Sequence, residues 1–168
     1  HLHTDYSLLD GACHISWAKL KPEERKDKAD ILSMAQAYKM PAVAITDHGV
    51  MGGAMEFYKE LHGAGIKPII GCETYMAPTS RFDKSPEHPH IKGYHLILLA
   101  ASAEGYKNMC KLISEAHING FYYKPRIDKE LLAKHSKGIV SLSACLQGEI
   151  QVKLLNNDLK GARQALDA

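Results

Sequence analysis

Short apolar runs alternate with amphipathic segments along the chain, and this alternation is the feature that most restricts the fold. Most of the apolar runs are nearly continuous, which is typical of strands buried on both faces of a sheet. The predicted strands are residues 1–6, 42–47, 67–76, 95–101 and 139–145. The predicted helices are residues 28–39, 51–61 and 106–117. This order predicts repeated βα units and an α/β fold with a mostly parallel sheet.

Length and composition fit a single globular domain. The 168 residues, 45% hydrophobic and 24% charged, suffice for one core and are too few for two ordinary domains. The net charge of +2 is too small to predict nucleic-acid binding by itself. No apolar run approaches the roughly 18 residues of a membrane span, so no membrane association is expected. Four cysteines without CxxC spacing favour a reducing cytoplasm over a disulfide framework.

The two ends of the sequence and three of its connections depart from a simple βα pattern. The first residues already belong to a motif and residues 158–166 have a helical pattern, so we expect residues 1–168 to be one partial domain. Two connections are longer than βα units need: residues 78–93, which are rich in proline, and residues 121–128, which are aromatic and basic. The charged residues 19–28 are predicted to be the solvated start of a helix.

Residues of metal-ligand type recur at the ends of the predicted strands. His1 and His3 lie two residues apart on the first strand, so both imidazoles face the same side and can reach one metal ion. The further candidates are Asp10, Asp47, His48, Glu73 and Cys145. Parallel strands bring their carboxyl ends to one edge of a sheet, so we expect these side chains to lie together. His95 is an exception because it opens its strand, which predicts an earlier strand start or a distorted sheet.

The ligand types indicate the metal. Imidazoles, carboxylates and one thiolate suit Zn, Mn or Fe better than Ca or Mg alone. Seven candidate ligands exceed the four that one tetrahedral ion needs, so two or more ions are predicted, with Glu73 bridging two of them; the seven are His1, His3, Asp10, His48, Glu73, His95 and Cys145. Clustered divalent ions of this kind lie about 3.5–4 Å apart and activate water for phosphoester cleavage.

The same residues also have ordinary structural explanations. Asp47 and His48 could begin a helix, because Asp favours the N-cap position. Asp10 could belong to a simple turn with the glycine that follows it. Cys145 could be a small core residue, as most cysteines near apolar runs are. Each alternative remains open on the sequence alone.

Taken together, the motifs resemble those of the polymerase and histidinol phosphatase (PHP) domain family. The matching segments are His1-Leu2-His3-Thr4, Ala44-Ile45-Thr46-Asp47-His48-Gly49, Gly71-Cys72-Glu73, Tyr94-His95-Leu96 and Leu142-Ser143-Ala144-Cys145. Within that family, residues 6–11, 77–84 and 120–128 are similar to the PHP domains at the N-termini of bacterial DNA polymerase III alpha subunits.

The resemblance implies a fold and a metal site. The fold would be a distorted (βα)7-type barrel, truncated here before its last strands, and the intact site would hold three divalent ions, Zn or Mn with Fe as a further option. The residues at ligand positions are His1, His3, Asp10, His48, Glu73, His95 and Cys145. Asp47 matches a residue that orients a ligand histidine or a bound water. The family's last motif, Asp-x-His, is missing from this sequence, so two ligands are expected outside it.

The resemblance also implies a function for a longer protein. That protein would be a replicative DNA-directed DNA polymerase, and this domain would be a metal-dependent 3′→5′ exonuclease or a non-catalytic, metal-stabilised docking module. Lys124 or Arg126 would contact phosphate, unless their loop only packs on the barrel rim. The implied partners are DNA, a proofreading exonuclease subunit and other replicase subunits. A stand-alone PHP phosphoesterase acting on a small phosphomonoester is the alternative within the family.

Overall fold

The computed structural model of the chain describes residues 1–8, 10–25 and 28–167. The helices in these ranges are α1 (Pro22–Arg25), α2 (Ile31–Ala37), α3 (Ala54–Gly63), α4 (Ala103–Ile118), α5 (Lys129–His135), α6 (Glu149–Leu155) and α7 (Leu159–Leu166). The strands are β1 (Ala42–Ile45), β2 (Lys67–Met76), β3 (Tyr94–Ala100), β4 (Phe121–Tyr122), β5 (Lys124–Ile127) and β6 (Ile139–Leu142). The α/β class predicted from the sequence is confirmed.

β2 is the centre of the sheet. Its first four residues pair in parallel with β1, its last six pair antiparallel with β3, and its last two also pair in parallel with β5. β6 joins the other side of β3, and β4 joins β5, both antiparallel. The sheet is therefore mixed, and the prediction of a mostly parallel sheet is wrong. The reason is the helix-free connection between β2 and β3, because a strand that returns without a crossover helix pairs antiparallel.

The sheet is open within the described residues. β4 and β6 lie at its two ends, so this part of the chain does not form a closed barrel. The outer strand β6 exposes Val140 and Leu142, and α6 beside it contributes no buried residue. Apolar side chains therefore remain exposed at the β6 end of the sheet.

The first residues of the chain do not form the predicted strand. The Thr46 N–H donates to the Leu2 carbonyl at 2.9 Å, and the Leu2 N–H donates to the Thr46 hydroxyl at 3.0 Å. Directly after this contact the chain turns, because the Ser7 N–H donates to the Thr4 carbonyl. The segment thus joins the end of β1 at one point, and the prediction of a strand over residues 1–6 is wrong.

Three other predicted segments changed their limits or their type. Residues 121–128, expected to be a loop, form the β4–β5 hairpin. The helix expected from residue 28 begins at Ile31, because Asp30 accepts a hydrogen bond from the Ser33 N–H and caps it. The charged segment 19–28 contains the short helix α1, and its residues 26 and 27 lie outside the described part of the chain.

Two hydrophobic clusters pack against the sheet. One joins α4 and α5 to β2 and β3 around Leu98, Met109 and Leu112. The other joins α2 and α3 to β1 around Phe57 and Leu61. Helix faces packed on a buried sheet hold the strand ends in fixed positions, so side chains at those ends can form a preorganised site.

The strand directions explain the position of His95. β1, β2, β5 and β6 run in one direction, whereas β3 runs in the opposite direction. The start of β3 therefore lies beside the end of β2, and His95 pairs with Tyr75. The strand does begin earlier than His95, at Tyr94. Its antiparallel direction, however, is what brings His95 to the edge that carries the other candidates.

Candidate metal centre

Glu73 is the most deeply buried charged residue of the candidate site. It lies on β2, and its main chain bridges that of His48 just beyond the end of β1. Burial raises the pKa of Glu73, but the neighbouring His95 and His3 outweigh this effect and hold the pKa below its usual value. Glu73 therefore lies as a carboxylate among imidazoles.

Three histidines from different parts of the chain surround this carboxylate. His1 Nδ1 lies 2.8 Å and His3 Nε2 lies 2.7 Å from Glu73 Oε2. His95 Nδ1 lies 2.5 Å from the other oxygen, Oε1. We call Glu73, His1, His3 and His95 the glutamate cluster. The sequence predicted that these residues lie together, and the structure brings them into contact.

Asp10 and His48 extend the cluster on one side. Asp10 Oδ2 lies 2.5 Å from His3 Nδ1 and 3.6 Å from His48 Nε2, and the His3 and His48 rings are 4.2 Å apart. Burial raises the pKa of Asp10, but the hydrogen bond from His3, the charges of His3 and His48 and the hydrogen bond from Ser7 together lower it. Burial lowers the pKa of His48, which favours the neutral imidazole that can ligate a metal. Asp10 does lie in a turn, and its carboxylate still faces the site.

Cys145 lies on the opposite side, beyond the end of β6. Its Sγ is 3.7 Å from His95 Nδ1. The thiol is only partly buried, so Cys145 is not the core residue that the alternative interpretation expected. It can instead supply a thiolate beside the glutamate cluster.

Asp47 lies beneath the site and holds the segment that carries His3. Its Oδ1 accepts a hydrogen bond from the Thr4 N–H at 2.6 Å, and its Oδ2 accepts one from the Thr4 hydroxyl at 2.9 Å. Burial raises the pKa of Asp47. The N-cap alternative for Asp47 and His48 is wrong, because the next helix, α3, begins only at Ala54, after Gly53.

Sequence reasoning missed Tyr75. Its hydroxyl lies 2.9 Å from His48 Nδ1, and its ring stacks on that of His48 at 5.6 Å between centroids. Burial raises the pKa of Tyr75 to about 12, so the hydroxyl keeps its proton. The signal was present in the sequence, since residues two apart on a strand share a face and Tyr75 follows Glu73 by two.

The nitrogen, oxygen and sulfur atoms of these side chains are close enough to bind shared divalent metal ions. Two groups have donor atoms within 4.8 Å of one another: His1, Glu73 and Cys145, and His3, His48 and Glu73. The carboxylate shared by both groups suits a bridging ligand. Glu73 Oε1 is buried and has no assigned hydrogen-bond partner in the described chain, although His95 Nδ1 lies 2.5 Å away. A buried carboxylate oxygen without a donor is costly, and a cation would satisfy it.

Arg126 lies outside this group. It is fully buried, and its guanidinium donates to the carbonyls of Gly120, Ile91, Arg81 and Asp83 at 2.8–3.2 Å. These bonds direct the guanidinium to main-chain oxygens of Gly120 and of residues 77–93, which we call the 77–93 connection because they join β2 to β3. Lys124, the other candidate for phosphate contact, is exposed.

Asp128 completes a second polar group close to Arg126. Its carboxylate caps α5 through the Leu131 N–H and accepts two bonds from the Arg81 guanidinium at 2.8 and 2.9 Å. Burial raises the pKa of Asp128, but hydrogen bonds from the Arg81 and Leu131 main chain and from the Arg81 side chain lower it overall. We call Arg81, Arg126 and Asp128 the arginine network.

Comparison with known proteins identifies the family. The profile of the PHP domain matches residues 1–168. The chain belongs to the PHP domain family. DNA polymerase III subunit alpha from Chlamydia trachomatis is 47% identical over 158 residues, covering 94% of this chain and 12% of that protein. The same subunit from Borreliella burgdorferi is 48% identical over 166 residues, covering 99% of this chain and 13% of that protein.

A third relative extends this similarity to another bacterial lineage. DNA polymerase III subunit alpha from Deinococcus radiodurans is 46% identical over 173 residues, covering 99% of this PHP domain and 12% of that protein. The chain thus spans 12–13% of the length of these relatives. In the described part of the PHP domain, no helix has both the length and the apolar character that a membrane span requires.

Proposed function

We propose that this chain is the PHP domain of a bacterial DNA polymerase III alpha subunit, and that it hydrolyses phosphodiester bonds at the 3′ end of a DNA strand. The observation that carries the proposal is Glu73, a buried carboxylate shared by two groups of potential metal ligands. The whole protein would polymerise DNA in the cytoplasm, together with a proofreading exonuclease subunit and other replicase subunits. This PHP domain would add a second, metal-dependent nuclease.

The proposed ligands of the divalent cluster are the predicted ones: His1, His3, Asp10, His48, Glu73, His95 and Cys145. Their mixture of imidazole, carboxylate and thiolate favours Zn, Mn or Fe, and the proposed number in the intact domain is three ions. When bound, such a cluster lowers the pKa of a water molecule and polarises a phosphoryl oxygen. These effects suit hydrolysis of a phosphodiester.

The other residues of the site would orient these ligands. In the tautomer that places the proton on His48 Nδ1, this N–H donates to the Tyr75 hydroxyl and leaves the Nε2 lone pair free to bind a metal. Asp47 would hold His3 in place through the main chain and hydroxyl of Thr4. Both interactions remove rotational freedom from a ligand before any ion binds.

We also propose that the open sheet closes into a distorted (βα)7-type barrel in the longer protein. This closure is supported by the outer edge of β6, where Val140 and Leu142 are exposed, because a strand and helix added there would cover them. The relatives are much longer than this chain, and the missing Asp-x-His ligands would come from the added segment. We infer that the metal cluster is complete only in the closed barrel.

The proposal is tested in the full-length polypeptide, freed of the separate proofreading subunit. Its metal content is measured, and nucleotide release from a 3′-labelled single strand is followed with added Mn or Zn. We expect divalent ions in stoichiometric amounts and release from the 3′ end, with both lost in Glu73→Gln and His48→Ala. His62→Ala, which changes an exposed histidine of α3, serves as the matched control and should behave as the native protein.

Each other outcome would assign a different function. Bound metal with no cleavage above the His48→Ala background would leave a non-catalytic docking module. Cleavage of small phosphomonoesters but not of the DNA strand would leave a phosphoesterase of the histidinol-phosphatase kind. Absence of bound transition metal from the full-length protein would overturn the metal centre itself.

A further inference from the structure

The tip of the β4–β5 hairpin presents an exposed aromatic ring beside the candidate metal centre. Tyr123 lies between the two strands, and its side chain is 62% exposed. Two exposed lysines accompany tyrosine rings here: Lys92 Nζ lies 5.6 Å from the Tyr123 ring centroid, and Lys124 Nζ lies 5.2 Å from that of Tyr75. We call Lys92, Tyr123 and Lys124 the hairpin platform.

The backbone of Tyr123 is strained. Its φ of 60° lies in the left-handed region, which a bulky residue rarely occupies and which glycine or asparagine adopts at lower cost. The exposed ring recovers little of this cost through burial. Strain of this kind is found where a side chain must be presented in one direction. The strained backbone of Tyr123 therefore indicates that its ring makes a contact with a binding partner.

The hairpin is held rigidly by the arginine network. Arg126 on β5 donates to the Gly120 carbonyl just before β4 and to three carbonyls of the 77–93 connection. Lys92 belongs to that connection. The network therefore fixes Tyr123 and Lys92 relative to each other, although both are exposed.

The hairpin also packs on the loop that carries His48. A Cβ atom at Gly49 would lie 2.6 Å from Pro125 Cγ, so only glycine permits this approach. The Gly49 carbonyl lies 2.8 Å from His117 Nε2 of α4. Lys124 lies over the ring of Tyr75, whose hydroxyl contacts His48. The hairpin platform and the metal centre are thus adjacent parts of one packed unit.

We propose that the hairpin platform binds single-stranded DNA and guides its 3′ end into the metal centre. The Tyr123 ring stacks on an unpaired base, and the ammonium groups of Lys92 and Lys124 contact phosphates on either side. Stacking on an aromatic ring beside cationic side chains is the usual way in which proteins hold single strands without sequence preference. This inference rests on the proposed nuclease function and names the part of the domain that holds its substrate.

A single strand fits this surface better than a duplex. An exposed ring such as that of Tyr123 can stack on an unpaired base. The bases of a duplex are already stacked on one another. Glu73, at the centre of the proposed cluster, is fully buried. A single strand is narrower than a duplex and can approach the ligands around Glu73 more closely.

The binding test uses the full-length polypeptide in EDTA, so that no strand is cleaved. A single strand that carries 5-iododeoxyuridine is crosslinked by light, and the modified peptide is identified by mass spectrometry. We expect a crosslink to Tyr123. In a double variant, Lys92→Gln with Lys124→Gln, the DNA concentration that gives half-maximal crosslinking should rise by about fivefold or more. The slope of the logarithm of the binding constant against the logarithm of the salt concentration should become shallower by about 0.7 for each lost phosphate contact.

Lys107→Gln is the matched control, because Lys107 is an exposed lysine on α4 outside the hairpin platform. It should leave the half-saturating concentration unchanged. Absence of a crosslink in residues 119–128, or equal saturation of the double variant and Lys107→Gln, would overturn the proposal. Hydrolysis plays no part in this measurement. It therefore tests whether the hairpin platform binds DNA even if the proposed nuclease activity is absent.

A second variant separates recognition from folding. Tyr123→Asn removes the ring and suits the left-handed backbone, so the midpoint of thermal unfolding should not fall. With metal present, KM for the 3′-labelled strand should rise about tenfold, as expected for one stacked base, while kcat stays within about twofold. Tyr38→Asn, at a tyrosine that is 66% exposed after α2, should leave KM unchanged. A lower unfolding midpoint with unchanged KM would make Tyr123 a structural residue and overturn the proposal.

Discussion

Glu73 and Arg126 are both fully buried charged side chains on neighbouring strands, but their surroundings differ in kind. Arg126 is a hydrogen-bond donor surrounded by acceptors, and four main-chain carbonyls satisfy it. Glu73 is an acceptor surrounded by imidazoles that can themselves offer lone pairs, and its Oε1 has no hydrogen-bond partner in the described chain. The Arg126 guanidinium is satisfied within the protein, although the neighbouring Arg81 Nε is buried without a hydrogen-bond partner in the described chain, whereas Glu73 lies among side chains that can ligate a metal.

This difference separates structural from functional polar groups. A buried group whose partners all come from the chain stabilises the loops that supply those partners. A buried group that collects metal ligands has its full stability only with the metal bound. Four predictions test the comparison, in order of decreasing expected effect.

Removal of Arg126 should have the largest effect on stability. Arg126→Met keeps a long apolar side chain but removes the guanidinium donor from the carbonyls of Ile91, Arg81 and Asp83, so the free energy of unfolding should fall by about 3–5 kcal/mol. Urea unfolding followed by circular dichroism measures this change. Arg163→Met, at an exposed arginine paired with Asp167 on α7, should change it by less than about 0.5 kcal/mol. Equal losses in both variants would contradict the structural role of Arg126.

Asp128→Asn should have a smaller and pH-dependent effect. Asparagine can still cap α5, but it loses the ion pair with Arg81, so the free energy of unfolding at pH 7 should fall by about 1–3 kcal/mol. The native carboxyl has a lowered pKa. Its contribution is therefore fully present above the unfolded-state pKa of about 3.9 and is lost as the pH falls through the lower folded-state value.

The measurement for Asp128→Asn is a series of urea midpoints between pH 7 and pH 3. The difference from the native chain should shrink at the acidic end. Asp167→Asn, at an exposed carboxylate of α7, should show a small difference at every pH. A gap between native and Asp128→Asn that stays constant down to pH 3 would exclude the ionised carboxylate as the cause.

The sequence predicted the glutamate cluster better than the arginine network, for a physical reason. Ligand residues at strand ends can be recognised because their side chains carry the chemistry, and strand ends are set by local patterns. The partners of Arg126 are main-chain carbonyls, which every residue possesses, so no sequence pattern identifies them. The sequence accordingly left two roles open for Arg126, phosphate contact or packing on the barrel rim, and the structure packs it against main-chain carbonyls.

Local sequence patterns also could not predict the direction of the strands. His95 seemed misplaced because the sheet was predicted to be mostly parallel, and pairing direction depends on how the chain returns after β2. The strand over residues 1–6 failed for a similar reason. Its residues have a strand pattern, but after Leu2 contacts Thr46, just beyond the end of β1, the chain turns at Thr4.

Tyr75→Phe should weaken metal binding without removing a ligand. The variant loses the hydroxyl that lies 2.9 Å from His48 Nδ1, and loss of such an orienting partner costs about tenfold in metal affinity. Competition with a chromogenic chelator measures the affinity in the full-length protein. Tyr58→Phe, at an exposed tyrosine of α3, is the control. Unchanged affinity in Tyr75→Phe would mean that His48 is oriented by other contacts or is no ligand.

Glu73→Gln, measured without metal, should have the smallest effect and tests the comparison most directly. Glutamine keeps the shape of the side chain; it removes the cost of burying a negative charge and also removes that charge's contacts with His3 and His95, so the two effects oppose each other. In EDTA at pH 8, we therefore expect the free energy of unfolding to change by no more than about 1 kcal/mol, far less than in Arg126→Met. Added Mn or Zn should stabilise the native protein, by about 2.7 kcal/mol at one hundred times the dissociation constant, and leave Glu73→Gln unchanged. If Glu73→Gln instead destabilises the metal-free protein as much as Arg126→Met does, the glutamate cluster is a structural network like the other one, and the distinction between them fails.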